Sequence, residues 1–584
     1  MECSLNNIRR ILLPIQQNLT LFVISILLLG GLDVFYHQYI FHENNIWGML
    51  LSYGEMIMMA YMVCLCSHWL RKIHLKVVFY IILFAIYAVN CYLRLAFSTD
   101  FSPKILMLLF ETNSKEVSGF FSTYFFTPAM YKTITVVTVF LLLTIVGELF
   151  RKKLSQIAAK PIISWILIPV LFLGAVGGTF ACVRYVRLAM YKDAFEAERW
   201  LLNIPFRKGM PIPNLCYSLD AIRLSGQDLN YMINATESAL DDVTTESSDS
   251  LNIILVIGES YNKYRSSLYG YDLNTTPFQC EERDRGNLYA FTHVKAPHNM
   301  TSIVMKNVLC CNNVHEGERW YNYPYFPAIF KKAGYDVWFW DNQYKWDPDA
   351  AWAFTLNSVL FNEQIQKMSY NGINENGAPF DGGLIADFEQ QHKSTLGNRN
   401  FIIFHLGGQH FLAKNQYPQE AKYNIFSAKD VKDKAPYLND ESRQRIAEYA
   451  NATHYNDSVI RQIMDLVKET NALLIYFPDH GEEVYDYRDF YGRQLLSEDK
   501  ITPELIKYQI EIPFIIWCSD KWKLSHEKEW ETIGQALHRE FSTDNVCHLL
   551  FRLAGIKTKV YQSERDLFSP EFIPQTKEYD MLGL

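Results

Sequence analysis

The chain has 584 residues, enough for several domains, each with its own hydrophobic core. Its net charge of −8 is spread along the sequence without an acidic or basic block, so the basic stripe of a nucleic-acid binder is absent and no such partner is expected. A mean hydropathy of −0.06 would suit a soluble protein, but that average hides a concentration of apolar residues in the first third.

Five stretches in that third are long enough to cross a bilayer, which takes about 20 helical residues. They run over approximately 19–39, 47–69, 76–97, 133–150 and 162–184. The first is not expected to be a cleaved signal, because its apolar run is long, lacks a small-residue cleavage site, and precedes four more spans. Arg9 and Arg10 precede it. Arg71, Lys72 and Lys76 separate spans two and three, and Arg151, Lys152, Lys153 and Lys160 separate four and five. The intervening loops are poorer in Lys and Arg, so the N-terminus is expected on the cytoplasmic side and everything after about residue 185 outside the cytoplasm. Glu55, inside the second span, is expected to face other helices or water. The loop from Phe97 to Lys132, rich in Phe, Met and Leu as at Leu106–Phe110, suits either an interfacial helix near a lipid substrate or packing against a soluble domain. Three domains are expected: a transmembrane domain over 1–184, a linker with short helices over 185–249, and a catalytic domain over 250–584.

Eleven cysteines show no zinc-finger spacing. Six of them (Cys216, Cys280, Cys310, Cys311, Cys518 and Cys547) lie in the polar portion, as disulfides if it is oxidised or else as buried thiols.

Beyond 250, short apolar runs alternate with helical patterns. Candidate strands are Asn252–Ile257, Asp336–Trp340, Asn400–His405, Ala472–Phe477 and Pro513–Cys518, and candidate helices include Tyr325–Ala333 and Glu441–Lys468. The runs show little alternation, as strands covered on both faces should. The expected fold is α/β, a mostly parallel sheet with helices on both faces, and its ligands belong beyond the carboxyl ends of the strands.

Four strand ends carry unusual polar residues: Glu259-Ser260, Asp341-Asn342-Gln343, His405 through His410, and Asp479-His480-Gly481-Glu482-Glu483. Carboxylates with imidazoles suit a borderline metal such as zinc or manganese. Asp479 and His480 adjoin on a loop, where both can turn toward one ion; on a strand they would point to opposite faces. After Pro297 the pattern becomes helical, which sets Thr301 at or near a helix N-terminus, where an alkoxide is favoured. That position equally suits a simple N-cap, and Ser302 fits either job.

These residues carry a resemblance. With Ser267-Leu268-Tyr269-Gly270-Tyr271, Thr275-Thr276-Pro277, Tyr417-Pro418 and Tyr455-Asn456-Asp457, they stand in an order that resembles the membrane-bound phosphoethanolamine transferases of Gram-negative envelopes, within the alkaline phosphatase/sulfatase-like superfamily. The resemblance implies zinc held by Glu259, Asp479 and His480, with Thr301 as both nucleophile and ligand. It implies His410 near the substrate phosphate or a second metal, and Asn342, His405 and His410 as candidate substrate-binding residues. It further implies a phosphatidylethanolamine donor, a lipopolysaccharide or related glycan acceptor, and a bacterial inner-membrane location with a periplasmic catalytic domain. A histidine that many members carry about a dozen residues after the Asp-His pair has no counterpart here; Tyr491-Gly492 occupies that region. Two rival activities share the fold. A glycerol-phosphate transferase using phosphatidylglycerol has the same spans, nucleophile and metal, whereas a sulfatase needs a Cys/Ser-x-Pro/Ala-x-Arg pentad that is missing near Thr301.

Overall fold

The computed structural model describes residues 2–28, 46–70, 72–97, 101, 106, 127–190, 211–245, 250–316, 319–343, 359, 362–493 and 502–574. They form two compact units, Met1–Ser225 and Gly226–Gly583.

The first unit is helical. Helices α1 (Glu2–Gln17), α2 (Leu19–Ile26), α3 (Ile46–Trp69), α4 (Ile73–Phe97), α5 (Pro128–Leu149), α6 (Arg151–Ala158) and α7 (Pro161–Met190) follow in order. Within α3, α4, α5 and α7, the segments Leu50–Trp69, Ile73–Ala96, Pro128–Leu149 and Pro161–Val183 are long and apolar enough to cross a membrane. They coincide with the second to fifth expected spans. Of the first span, α2 covers the opening residues, and 29–45 lie outside the described residues, as does Leu106–Phe110 apart from Leu106. Lys76, read as a loop charge, is the fourth residue of α4 and meets Glu148 of α5 at 2.5 Å.

Small residues let α3 and α7 approach closely. A Cβ on Gly177 would lie 2.5 Å from Glu55 N, and one on Gly54 would lie 2.5 Å from Leu173 O. Glu55 is buried beside this contact, as expected of an acid that avoids hydrocarbon. Close backbone approach of this kind drives helix association where lipid offers no hydrophobic gain. Gly177→Leu is therefore expected to force the helices apart at a cost of about 2 kcal/mol or more. Fluorescence-detected size exclusion in detergent should show loss of most monodisperse protein, whereas Ile166→Ala on an exposed face should not.

Residues 211–239 form one 29-residue helix, α8 (Pro211–Ala239), where the sequence suggested short ones. Pro211 and Pro213 fall in its first turn, where no backbone N–H is required, and no later proline interrupts it.

The second unit is built on a seven-stranded sheet. Its strands are β1 (Asn252–Gly258), β2 (Leu288–Phe291), β3 (Asp336–Asp341), β4 (Gly372–Ile373), β5 (Asn400–His405), β6 (Ala472–Pro478) and β7 (Phe514–Cys518). The order is β2-β7-β6-β1-β5-β3-β4. Pairings among β6, β1, β5, β3 and β4 are parallel. The two that involve β7 are antiparallel, so the sheet is mixed. Strand residues alternate between two apolar layers. Ile253, Leu255 and Ile257 join one, with Phe326, Phe330 and Phe551, while Ile254 and Val256 join the other, with Ile446, Ile460 and Ile463. Burial on both faces is why these runs lack polar alternation.

The register decides where the site lies. Ile257 pairs with His405 and with Phe477, Asp341 pairs with His405, and Gly258 pairs with Pro478. Four carboxyl ends therefore finish at one level and their loops leave together. Cys518 pairs with Leu473 near the opposite end, so β7 delivers nothing there. Cys216, Cys280, Cys310, Cys311, Cys518 and Cys547 are free thiols; the last four are buried, as the second reading expected, whereas Cys216 is exposed and Cys280 half-buried.

Candidate active site

Glu259 follows β1, and Asp479 and His480 follow β6. One ligand atom from each lies within 4.8 Å of the other two, and all three side chains are fully buried. Asp479 Oδ1 accepts hydrogen bonds from Ser260 N and His480 N, at 3.2 and 2.7 Å. Its other oxygen, Oδ2, is buried, receives no hydrogen bond, and lies 3.0 Å from His480 Nε2. His480 Nδ1 is 2.9 Å from Gly481 O. A carbonyl can only accept, so Nδ1 carries a proton, and Nε2 is the nitrogen that can give a lone pair to a metal. Two carboxylates and one imidazole nitrogen converging at these distances fit a divalent cation of the zinc type. Burial opposes charge on both groups. Even so, His480 holds the Glu259 carboxyl well below its ordinary range, and Asp479 and Glu259 hold the His480 imidazole above its own.

Thr301 opens the helix Thr301–Leu309 (α9), as the first helical residue rather than its cap. Met300 is the N-cap and makes no side-chain capping bond. Thr301 Oγ1 donates to Glu259 Oε2 at 3.1 Å and stands 3.3 Å from His480 Nε2. The hydroxyl therefore meets the cluster at the positive end of a helix. Ser302, the other candidate in the sequence, is buried.

Backbone constraints hold these groups in place. Ser260 adopts φ +54, a left-handed conformation uncommon for a side-chain-bearing residue, and Tyr449 Oη donates to its carbonyl at 2.6 Å. Gly408 has φ +50, and a Cβ there would meet Glu259 N and O at 2.7 Å, so only glycine lets the β5 loop pass so near.

The remaining expected residues take different places. His410 is half-buried and close enough to Glu259 and Glu482 for its charge to act on both. His405 is fully buried behind the cluster, with Nδ1 3.0 Å from Asp341 Oδ1. Asn342 spends its amide on scaffolding, donating to Asp381 Oδ1 and accepting from Ala378 N. The neighbouring Gln343 reaches the cluster instead, with Nε2 donating to Glu259 Oε2 at 2.9 Å. Among the other motif residues, Asp457 accepts from Phe278 N and Gln279 N at the start of the helix Pro277–Asp284, and Asn456 accepts from Tyr476 Oη.

Two further residues, Asp381 and Arg493, were not singled out from the sequence, and Glu482 was named there only within its strand-end run. Asp381 accepts from Gly407 N and Gly408 N and so shapes the loop that carries His410. Glu482 is buried, with Oε2 3.1 Å from Arg493 Nε. Arg493 Nη1 donates to Asn299 O at 3.1 Å and to His480 Nε2 at 2.6 Å. The pairing of Glu482 with a basic residue further along the same loop was the one sequence signal available.

A family model described as Sulfatase matches residues 251–556, just over half of the chain and nearly all of the sheet-bearing unit. The chain belongs to the sulfatase family. Similar proteins include phosphoethanolamine transferase EptC of Escherichia coli K12, 26% identical over 501 residues that cover 84% of this chain and 81% of that protein. Phosphoethanolamine transferase CptA of Salmonella typhimurium is 26% identical over 493 residues, covering 82% and 80%. Among solved structures, the integral membrane protein lipooligosaccharide phosphoethanolamine transferase A of Neisseria meningitidis aligns over 95% of this chain and 97% of its own. That alignment has a TM-score of 0.59 at 14% identity, a likeness of fold. Within the sulfatase family the chain thus has the relatives that its motifs implied.

Proposed function

We propose that this protein transfers phosphoethanolamine from phosphatidylethanolamine to lipopolysaccharide, on lipid A or a core sugar, or to a related envelope glycan. The observation that carries this reading is Thr301 Oγ1 at a helix start, in hydrogen-bond contact with Glu259 and beside His480 Nε2. A nucleophilic hydroxyl set against a metal-binding cluster suits two-step phosphoryl-group transfer. The similar proteins named above, matched along most of the chain, supply the head group.

Five spans over 1–184 anchor the enzyme as a multi-pass protein of the bacterial inner membrane. A linker over 185–249 leads to a periplasmic catalytic domain over 250–584. Glu259, Asp479 and His480, with Thr301 Oγ1 beside them, would hold a zinc ion, which would supply positive charge to offset the cost of an alkoxide and of charged phosphoryl oxygens. Thr301 Oγ1 bonds to phosphorus as the bond to the diacylglycerol oxygen breaks, and its O–H is already directed at Glu259 Oε2. His410 protonates the leaving oxygen, and diacylglycerol departs. The product is phosphoethanolamine esterified to Thr301. An acceptor hydroxyl or sugar phosphate then attacks, forms the new phosphorus–oxygen bond and frees Thr301. His410 faces the substrate, and Asn342 and His405 support the site from within, Asn342 through Asp381 and Ala378 and His405 through Asp341.

Donor choice tests the reading. Purified protein incubated with phosphatidylethanolamine vesicles is expected to gain one phosphoethanolamine, mapped by peptide mass to the segment containing Thr301. A glycerol-phosphate adduct formed only from phosphatidylglycerol would overturn it in favour of the related lipid enzyme. Diacylglycerol release without transfer to any acceptor would favour a phosphodiesterase.

A further inference from the structure

A phosphodiester brought to this cluster presents oxygens that one divalent ion and Thr301 do not surround. Among the described residues, one group of three or more His, Cys, Asp and Glu side chains has metal-ligating geometry, namely Glu259, Asp479 and His480. The loop after Asp479-His480 doubles back, with Tyr491 and Gly492 pairing against Val484 and Glu483. Arg493 follows directly and enters the same cleft. We propose that Arg493 is the second positive charge of the site, its guanidinium binding the phosphoryl oxygens beside a single zinc ion. The inference rests on the zinc reading above and adds to it the residue that holds the group being transferred.

Four observations carry it. Arg493 Nη1 lies 2.6 Å from His480 Nε2, and Thr301 Oγ1 lies 3.3 Å from the same nitrogen, so guanidinium and nucleophile sit within the span of one phosphoryl group. Nη1 also donates to Asn299 O, two residues before the nucleophile, which fixes the side chain at the mouth of α9. Glu482 braces the guanidinium from the other side through Nε at 3.1 Å, and Glu482 is 1% exposed, so the brace is rigid. The Arg493 side chain itself remains 23% exposed, so solvent and a small anion can reach it.

Metal chemistry then dictates the role. One lone pair on His480 Nε2 cannot serve both a guanidinium N–H and a metal ion. When the ion is bound, Nη1 must turn away while Nε stays on Glu482. A guanidinium keeps its charge at every accessible pH, so two cations would face each other at short range in a buried cleft. An anion between them turns that repulsion into two attractions. The planar fork of N–H donors matches phosphoryl oxygens, which a lysine point charge does not.

The test is binding rather than turnover. Full-length protein in detergent is loaded with zinc, its zinc content is measured, and inorganic phosphate is titrated calorimetrically. One zinc per chain is expected in the wild type, in Arg493→Lys and in the double variant Glu482→Gln/Arg493→Gln. The double variant leaves no buried carboxylate stranded, so it keeps the test open if Arg493→Gln alone fails to fold. Phosphate affinity is expected to fall about tenfold in Arg493→Lys and about a hundredfold in the double variant, the range for charge-assisted hydrogen bonds. Unchanged phosphate affinity with zinc retained would overturn the inference alone. So would two zinc ions per wild-type chain, or loss of zinc in Arg493→Lys, which would make Arg493 a positioning residue for the ligands. Wild type that takes up no zinc would overturn the metal reading and this inference with it.

Discussion

Thr301→Ala is expected to abolish the covalent adduct and to lower transfer by a factor of about 10⁴ or more, the scale seen when a nucleophile is removed. Loss of folding would not account for such a result. The hydroxyl caps nothing, because Met300 is the N-cap of α9 and no side-chain capping bond exists there. Alanine is the better helix former at the first turn, so the helix itself should be at least as stable. What is lost is the hydrogen bond to Glu259, worth about 1.5–3 kcal/mol as a bond to a charged group, and the 3.3 Å contact with His480 Nε2. Thermal unfolding of the variant should therefore match the wild type within a few degrees, while intact mass after incubation with phosphatidylethanolamine stays unshifted. Thr301→Ser separates chemistry from geometry further. It keeps an oxygen nucleophile but loses the methyl group that restricts χ1, so a slower, still detectable adduct is expected. An adduct on Thr301→Ala at another residue, Ser302 above all, would move the nucleophile and leave the rest of the site reading intact.

Much of this site is legible before any coordinates, and the reason lies in the sheet. Strands buried on both faces must be apolar along their whole length, so the first polar residues after each run announce a carboxyl end. Glu259 after Val256-Ile257-Gly258 and Asp479-His480 after Tyr476-Phe477-Pro478 stand out for that reason, and parallel register brings them to one level. Direction is not legible in the same way. Phe514–Cys518 is as apolar as the others and reads identically in either sense, so its antiparallel pairing with β6 appears only in the fold. The edge strands are harder still, since Gly372–Ile373 is two residues long and offers no pattern. Loop residues depend on backbone turns that no periodicity describes. Asn342 and Gln343 are neighbours with similar amides, and the turn after β3 gives the scaffold contact to one and the Glu259 contact to the other. Arg493, thirteen residues beyond His480, returns to it only because the intervening loop doubles back, with Tyr491 and Gly492 pairing against Val484 and Glu483. Helix α1 was missed for a different reason: its polar residues mask an apolar face, including buried Leu12 and Ile15, outside the long runs that define spans.

Asp479→Asn should produce an opposite pair of effects on stability, and that pair distinguishes a metal ligand from a scaffold residue. The scaffold contacts of Asp479 are the hydrogen bonds that Oδ1 accepts from Ser260 N and His480 N, and an asparagine oxygen can accept both. What changes is Oδ2, the buried oxygen without a hydrogen bond, which becomes an amide nitrogen unable to ligate a metal. Without zinc, the wild-type site holds buried carboxylates close together, which costs stability. Removing one charge should therefore raise the melting temperature of the metal-free protein. With zinc the order reverses. A ligand at 100 times its dissociation constant stabilises by about 2.7 kcal/mol, so wild type should gain several degrees on zinc addition. The variant should gain little, because losing a ligand is expected to weaken zinc binding by about 100-fold or more, beyond the effect of removing a supporting residue. Transfer should fall in step with zinc occupancy, and a chelator should bring wild-type activity down to the level of the variant. If Asp479→Asn instead destabilises the metal-free protein and keeps the zinc-induced shift, Asp479 is scaffold, and the cation belongs to Glu259 and His480 with a different third ligand. Glu259→Gln separates those cases, because its Oε2 already receives hydrogen bonds from Thr301 and Gln343. A neutral amide there should loosen the nucleophile as well as the metal, lowering adduct formation even at saturating zinc.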